Sequence, residues 1–221
     1  MANSENSDEI NRCRLILTAN PKNVGEKDLI AAVSTSDVAC VVLYSAGAEQ
    51  HVFEAYCKEV TPHLQDAGCA VLVTDDTQVF GKSGADGFFA EKEKSNLEDI
   101  IARFSPQNIV GCGNIKGRHQ ALEIGELKPD FIFFGKLAGD IKPEAHPKNI
   151  ALAEWWAELV EIPGIVMGGN VLESIIDVAE SGIEFVALEQ AIFSQGNAAD
   201  NVVTANALLD EYAPSFDEDD E

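Results

Sequence analysis

The sequence predicts a single (β/α)8 TIM barrel with eight parallel strands. Three observations carry that expectation. Short β-branched or aromatic runs alternate with longer segments of helical period, which implies a parallel sheet. Several runs are apolar throughout, as in strands buried on both faces. Eight such units fit in about 200 residues, the size of a compact barrel.

The first strand is expected over 14–18 (Arg-Leu-Ile-Leu-Thr), followed by a helix over 27–34. Strand two, 39–44, leads into a helix over 51–67, in which Val52, Tyr56, Val60 and Leu64 recur at helical spacing. Strand three spans 70–74, and a short segment over 77–83 separates it from strand four at 87–90. The chain continues with helix 96–104, strand 108–112, helix 118–127 and strand 131–134. Helix 149–160 carries Trp155 and Trp156, which are expected against the barrel wall. Strand 164–167 ends at Gly168-Gly169, helix 172–180 leads to strand 185–188, and helix 199–212 closes the chain. The competing fold, an open doubly wound sheet, normally carries a glycine-rich turn after strand one. Here that turn reads Ala19-Asn20-Pro21-Lys22.

Residues 1–12 are expected as a flexible N-terminal segment, 13–213 as the barrel and 214–221 as an acidic disordered tail. The formal net charge is −23, from 15 Lys plus Arg against 38 Asp plus Glu. This charge disfavours nucleic acid and anionic membrane surfaces, which are negative themselves. The polar start and the lack of a long apolar run argue against a signal peptide or a membrane span. Five scattered cysteines without a CxxC fit reduced thiols in a cytoplasm.

A barrel binds ligands at the carboxyl ends of its strands. Gly168, Gly169 and Asn170 after strand seven, with Gln190 after strand eight, offer amides for a phosphate; a tight turn is the other reading. Glu189 would repel a phosphate unless its side chain points away. Lys136 and Lys142 after strand six can neutralise an anion, or stand as solvated loop lysines. Asp75, with Asp76, is a candidate Mg²⁺ ligand, or serves a capping role. None of His51, His63, His119 and His146 has metal-ligand spacing, and no Gly-x-Ser-x-Gly, P-loop or zinc motif occurs.

From 14 to about 194 the chain resembles the thiamine phosphate synthase and thiazole tautomerase superfamily. The signposts are Val73-Thr74-Asp75-Asp76, Gly84-Ala85-Asp86-Gly87-Phe88-Phe89, Ile109-Val110-Gly111-Cys112-Gly113, Lys128-Pro129-Asp130-Phe131 and Ile162-Pro163-Gly164-Ile165-Val166-Met167-Gly168-Gly169-Asn170. The resemblance implies a barrel that joins a hydroxymethylpyrimidine diphosphate to a thiazole phosphate and releases diphosphate, with Mg²⁺ and a cluster of cations on the leaving group. Against that pattern the chain is divergent. Where the family has Gln-x-Arg-x-Lys after strand two, it has Val42, Tyr44 and Ala46. The second metal segment reads Glu91-Lys92-Glu93-Lys94, the family's serine after strand five is Gly113, and the tautomerase histidine is replaced in the Asn114-Ile115 region. The alternative is therefore an inactive or repurposed barrel that binds a small phosphorylated ligand or a protein partner. The synthase reading expects a small phosphorylated heterocycle as substrate, and two copies of such a barrel can pair through helical faces.

Overall fold

The computed structural model describes residues 10–74, 76–91 and 97–216. Its eight strands form a closed parallel barrel in chain order, β1 to β8, with β8 returning to β1. The strands are β1 Arg14–Ala19, β2 Cys40–Leu43, β3 Ala70–Thr74, β4 Gly87–Ala90, β5 Ile109–Cys112, β6 Phe131–Phe134, β7 Gly164–Met167 and β8 Phe185–Leu188. Between them lie α1 Glu26–Val33, α2 Gln50–Asp66, α3 Thr77–Ser83, α4 Leu97–Phe104, α5 Arg118–Gly125, α6 Pro147–Ala157 and α7 Ser174–Ala179. A four-residue helix, α8 Gln190–Phe193, precedes α9 Ala198–Tyr212. The expected barrel is thus present, with α8 as an element that the sequence reading left out.

The all-apolar strands conceal a period of two. Ile16, Cys40, Val42, Leu72, Phe89, Phe131, Phe133, Ile165, Met167 and Ala187 point into the barrel. Their neighbours Leu15, Leu17, Val41, Leu43, Val71, Val73, Phe88, Val110, Ile132, Phe134, Val166, Val186 and Leu188 point outward to the helices. Both faces are buried, so no polar alternation shows in the sequence.

Three phenylalanines fill one side of the interior. Phe89 stacks on Phe131 at 5.8 Å and meets Phe133 edge-on at 5.5 Å. They fit because facing positions carry no side chain. A Cβ at Gly111 would run into the Phe131 ring, and one at Gly113 into Phe89. Outside the barrel, Trp156 is buried against Phe134 and donates its indole N–H to the Ile162 carbonyl at 2.7 Å. Trp155 is half-buried beneath the Arg118 guanidinium.

The amino-terminal face uses some of the chain's acidity. Asp86, just before β4, accepts the Val71 amide of β3 at 2.8 Å. Asp130, before β6, accepts the Val110 amide of β5 at 2.7 Å, and Glu184, before β8, accepts the Gly164 amide of β7 at 2.8 Å. Asp37, before β2, takes a two-pronged bond from Arg14 of β1, at 2.6 and 3.0 Å. Each even strand is therefore preceded by a carboxylate that fixes the odd strand beside it. The first described residues pack against the end of the described chain. Arg12 pairs with Asp210 at 2.6 Å, and the Phe216 amide donates to the Asn11 carbonyl.

The interior packing gives the first prediction. Gly111→Ala is expected to lower stability by about 1–3 kcal/mol, the usual cost of overpacking a core. Adding Phe131→Leu should recover part of it. Urea denaturation of the single and double variants measures both; equal stabilities of wild type and Gly111→Ala would contradict the packing account.

Candidate functional site

Two regions of different character share the carboxyl-terminal face of the barrel. The first joins β1, β2 and β8. Glu189 follows β8 and is 2% exposed. Its carboxylate accepts from Thr18 Oγ1 at 2.9 Å, Asn20 Nδ2 at 2.9 Å and the Tyr44 hydroxyl at 2.6 Å. Asn20 Nδ2 also donates to the Tyr44 oxygen at 2.9 Å. These groups come from three strand ends far apart in sequence and are saturated by one another. Burial pushes the Glu189 carboxyl above its ordinary range; the Tyr44 and Thr18 bonds oppose that shift and the nearby Asp140 charge adds to it. Burial and the Glu189 bond likewise hold the Tyr44 hydroxyl protonated.

Asp140 lies beside this cluster, on the connection from β6 to α6, and is 1% exposed. Its Oδ2 accepts the Gln190 amide at 2.6 Å, and its Oδ1 lies 3.4 Å from Gln190 Nε2. The other amides of the expected phosphate cradle are likewise taken within the chain. Gly168 donates to the Ala187 carbonyl at 2.9 Å, Gly169 to Ser174 Oγ at 2.9 Å and Asn170 to the Lys142 carbonyl at 2.8 Å. Gly169 is needed for close approach, because a Cβ there would run into the Pro143 carbonyl. The turn reading of Gly168-Gly169 therefore has a direct structural cause: the β6–α6 connection crosses over it.

The second region is a cavity of about 580 Å³ at the ends of β5, β6 and β7. Lys116, Lys136, Lys142 and Lys148 line it, with Glu144, Asn114, His146, Asn149, Met167 and Gly168. None of these lysines forms an ion pair among the described residues. Glu91, at the end of β4, accepts the Leu137 amide at 2.8 Å and holds the connection that carries Lys136 and Lys142. His146 caps α6 through Nδ1, accepting the Lys148 amide at 3.1 Å.

Of the residues the sequence singled out, the structure brings Lys136, Lys142 and Gly168 together in the cavity. Gly169, Asn170 and Gln190 lie outside its lining. Asp75 lies outside the described residues. Asp76 caps α3, accepting the Gln78 and Val79 amides at 2.9 and 3.0 Å. Among the described residues no group of three or more His, Cys, Asp or Glu side chains could hold a metal ion. Sequence reasoning missed Asp140, Lys116 and Lys148. The lysines had a signal in their positions after strand five and in the first turn of α6; Asp140 had none, since its partner lies 50 residues away. All five cysteines are buried and none is in a disulfide among the described residues; burial pushes Cys13, Cys57 and Cys69 up to about 12, which leaves those three poor nucleophiles. Among the described residues no helix is long and apolar enough to cross a membrane.

The closed parallel strands and the cavity at their carboxyl ends define an α/β barrel with four lysines lining one side of its mouth. The family model described as thiamine monophosphate synthase matches residues 15–192, and the chain belongs to that family. It is similar to the thiamine-phosphate synthase of Hyphomonas neptunium, at 26% identity over 91% of this chain and 96% of the relative. It is also similar to that of Rhodospirillum centenum, at 28% identity over 80% of this chain and 87% of the relative. Among solved structures, the thiamine phosphate pyrophosphorylase of Pyrococcus furiosus shares the fold with a TM-score of 0.79 at 16% identity, covering 92% of this chain and 98% of the other. The (S)-3-O-geranylgeranylglyceryl phosphate synthase of Thermoplasma acidophilum, solved with sn-glycerol-1-phosphate, shares it with a TM-score of 0.67 at 12% identity, covering 91% and 94%.

The Glu189 cluster generates a pH prediction. A carboxyl raised above its unfolded value of 4.5 binds its proton more tightly in the folded state. Its contribution is then complete at low pH, and stability falls as pH rises from about 4.5 through the folded value. Glu189→Gln removes this titration. The stability of the variant relative to wild type should therefore rise with pH above about 4.5, as read by urea denaturation from pH 4.5 to 8. A difference independent of pH would contradict the raised carboxyl.

Proposed function

We propose that this protein works as a thiamine-phosphate-synthase-type barrel whose ligand is a small phosphorylated heterocycle, seated in the cavity between β5 and β7 with its phosphate among Lys136, Lys142, Lys116 and Lys148. The observation that carries this reading is the cavity itself: four lysines converge on it in a chain of net charge −23. Free lysines concentrated in one concave site attract and hold a phosphate, whereas the acidic body repels one elsewhere. The names of the relatives support thiamine phosphate formation as the associated chemistry, and five buried cysteines outside any disulfide among the described residues fit a reducing cytoplasm.

A second reading, a repurposed barrel that binds without transfer, is favoured by the β1–β2–β8 corner. There the polar groups serve Glu189, and among the described residues no lysine or arginine bonds to the cluster. Each missing charge-stabilising donor costs a transferase ~3 kcal/mol of barrier.

One assay decides between them. Protein is mixed with hydroxymethylpyrimidine diphosphate, thiazole phosphate and Mg²⁺, and diphosphate release is followed. The synthase reading expects release above buffer. It expects loss of about tenfold or more for Lys136→Ala combined with Lys142→Ala, in line with removal of a charge-assisted contact. It also expects Asp75→Asn to weaken the Mg²⁺ dependence. No release, with thiazole phosphate still raising Tm, selects the repurposed barrel; a flat Tm at millimolar thiazole phosphate contradicts both.

A further inference from the structure

We propose that the cavity between β5 and β7 takes its ligand ring first: an apolar ring lies over Gly135 against Met167, with Ile141 at its edge, and the phosphate stays outside at the lysine rim. The inference rests on the proposed phosphate site and deepens it by naming the residues that select the body of the ester.

The cavity is graded from floor to rim. Met167, Ile115 and Ala145 line it and are buried, whereas the four lysines line it and are exposed. Met167 also belongs to the interior packing, so the floor is the top of the barrel core. Gly135 leaves room beside it. A Cβ there would stand 2.8 Å from the Met167 Cβ, 3.2 Å from Asn149 Nδ2 and 3.5 Å from the Phe133 ring. Its φ of +122° is a glycine conformation as well. Ile141 stands at the other end of the gradient. It lines the cavity at 69% exposure, next in the chain to Lys142, so an apolar and a cationic side chain sit together at the rim.

That gradient fixes an orientation. A phosphate carried to the floor would lose its water among Met167 and Ile115, and the Gly168 amide beside them is already given to the Ala187 carbonyl. A ring carried there gives up only unfavourable contact with water, and the Met167 thioether suits an aromatic face or edge. The phosphate then remains where lysine ammonium groups and water both reach it. Ile141, which otherwise faces water, is covered by the ring. A phosphate ester with a polar body gains nothing at this floor, so the apolar side chains discriminate between esters that the lysines treat alike.

The chain has two methionines, Met1 and Met167, so a methyl spectrum of methionine-labelled protein reads the floor directly. The full-length protein is titrated without Mg²⁺ with phenyl phosphate and, separately, with glycerol phosphate; Met167→Leu assigns the signal. The ring current of phenyl phosphate should displace the Met167 methyl signal, and glycerol phosphate should leave it near its free position. Phenyl phosphate should also bind about tenfold more tightly or better, the scale of burying one aromatic side chain. Ile141→Asn, at an exposed position, should weaken phenyl phosphate by about three- to tenfold and glycerol phosphate by less than about twofold. A Met167 signal unmoved at saturating phenyl phosphate, or equal affinities for the two esters, overturns the inference and leaves the phosphate site standing. Equal weakening of both esters by Ile141→Asn overturns it too. If neither ester binds, the phosphate site falls and this inference with it.

Discussion

A carboxylate that leaves water must be given hydrogen bonds, and Glu189 at the end of β8 takes its bonds from Thr18, Asn20 and Tyr44. That single requirement organises one side of the barrel mouth. It ties the ends of β1, β2 and β8 together at the seam where the barrel closes, and it commits polar groups that would otherwise face a ligand. Asp140 extends the same arrangement by taking the Gln190 amide at 2.6 Å. The mouth is therefore divided. Its β1–β2–β8 side is polar but saturated, and its β5–β7 side holds a lysine-lined cavity of about 580 Å³.

The rest of the fold supports this division without competing for the same residues. The interior below the mouth is filled by Phe89, Phe131 and Phe133 against positions that carry glycine. The opposite face is fixed by Asp86, Asp130 and Glu184, each accepting the amide of a neighbouring strand. Acidic residues thus hold the barrel together from below and close one corner of it above, while the few lysines are free to gather at the cavity.

All eight strands were legible in the sequence because their apolar runs are short, separated by helical periods and punctuated by glycine. The lining of the candidate cavity was legible in part. Lys136, Lys142 and Gly168 were placed correctly at strand ends, since a barrel sends every strand end to one face. The state of the amides was not legible. Whether Gly169, Asn170 and Gln190 offer their N–H groups outward depends on where the β6–α6 connection lies, and that path is set by tertiary contacts such as Glu91 with Leu137. Glu189 was visible as a difficulty for phosphate. Its resolution was hidden, because Tyr44 lies 145 residues away and Thr18 lies 171 away. Tyr44 stands where the resembling family carries cations, so the same position that signalled a departure from the family also supplies the partner for Glu189. The helix α8 escaped notice because four residues are too few for a periodic signal.

The divided mouth is tested most directly by a crystal structure of the protein with tungstate, whose anomalous scattering marks where a phosphate-like anion sits. The account predicts a peak among Lys136, Lys142, Lys116 and Lys148 with the Asp140–Gln190 bond intact. A peak on the Gln190 amide, with Asp140 displaced into solvent, would contradict it.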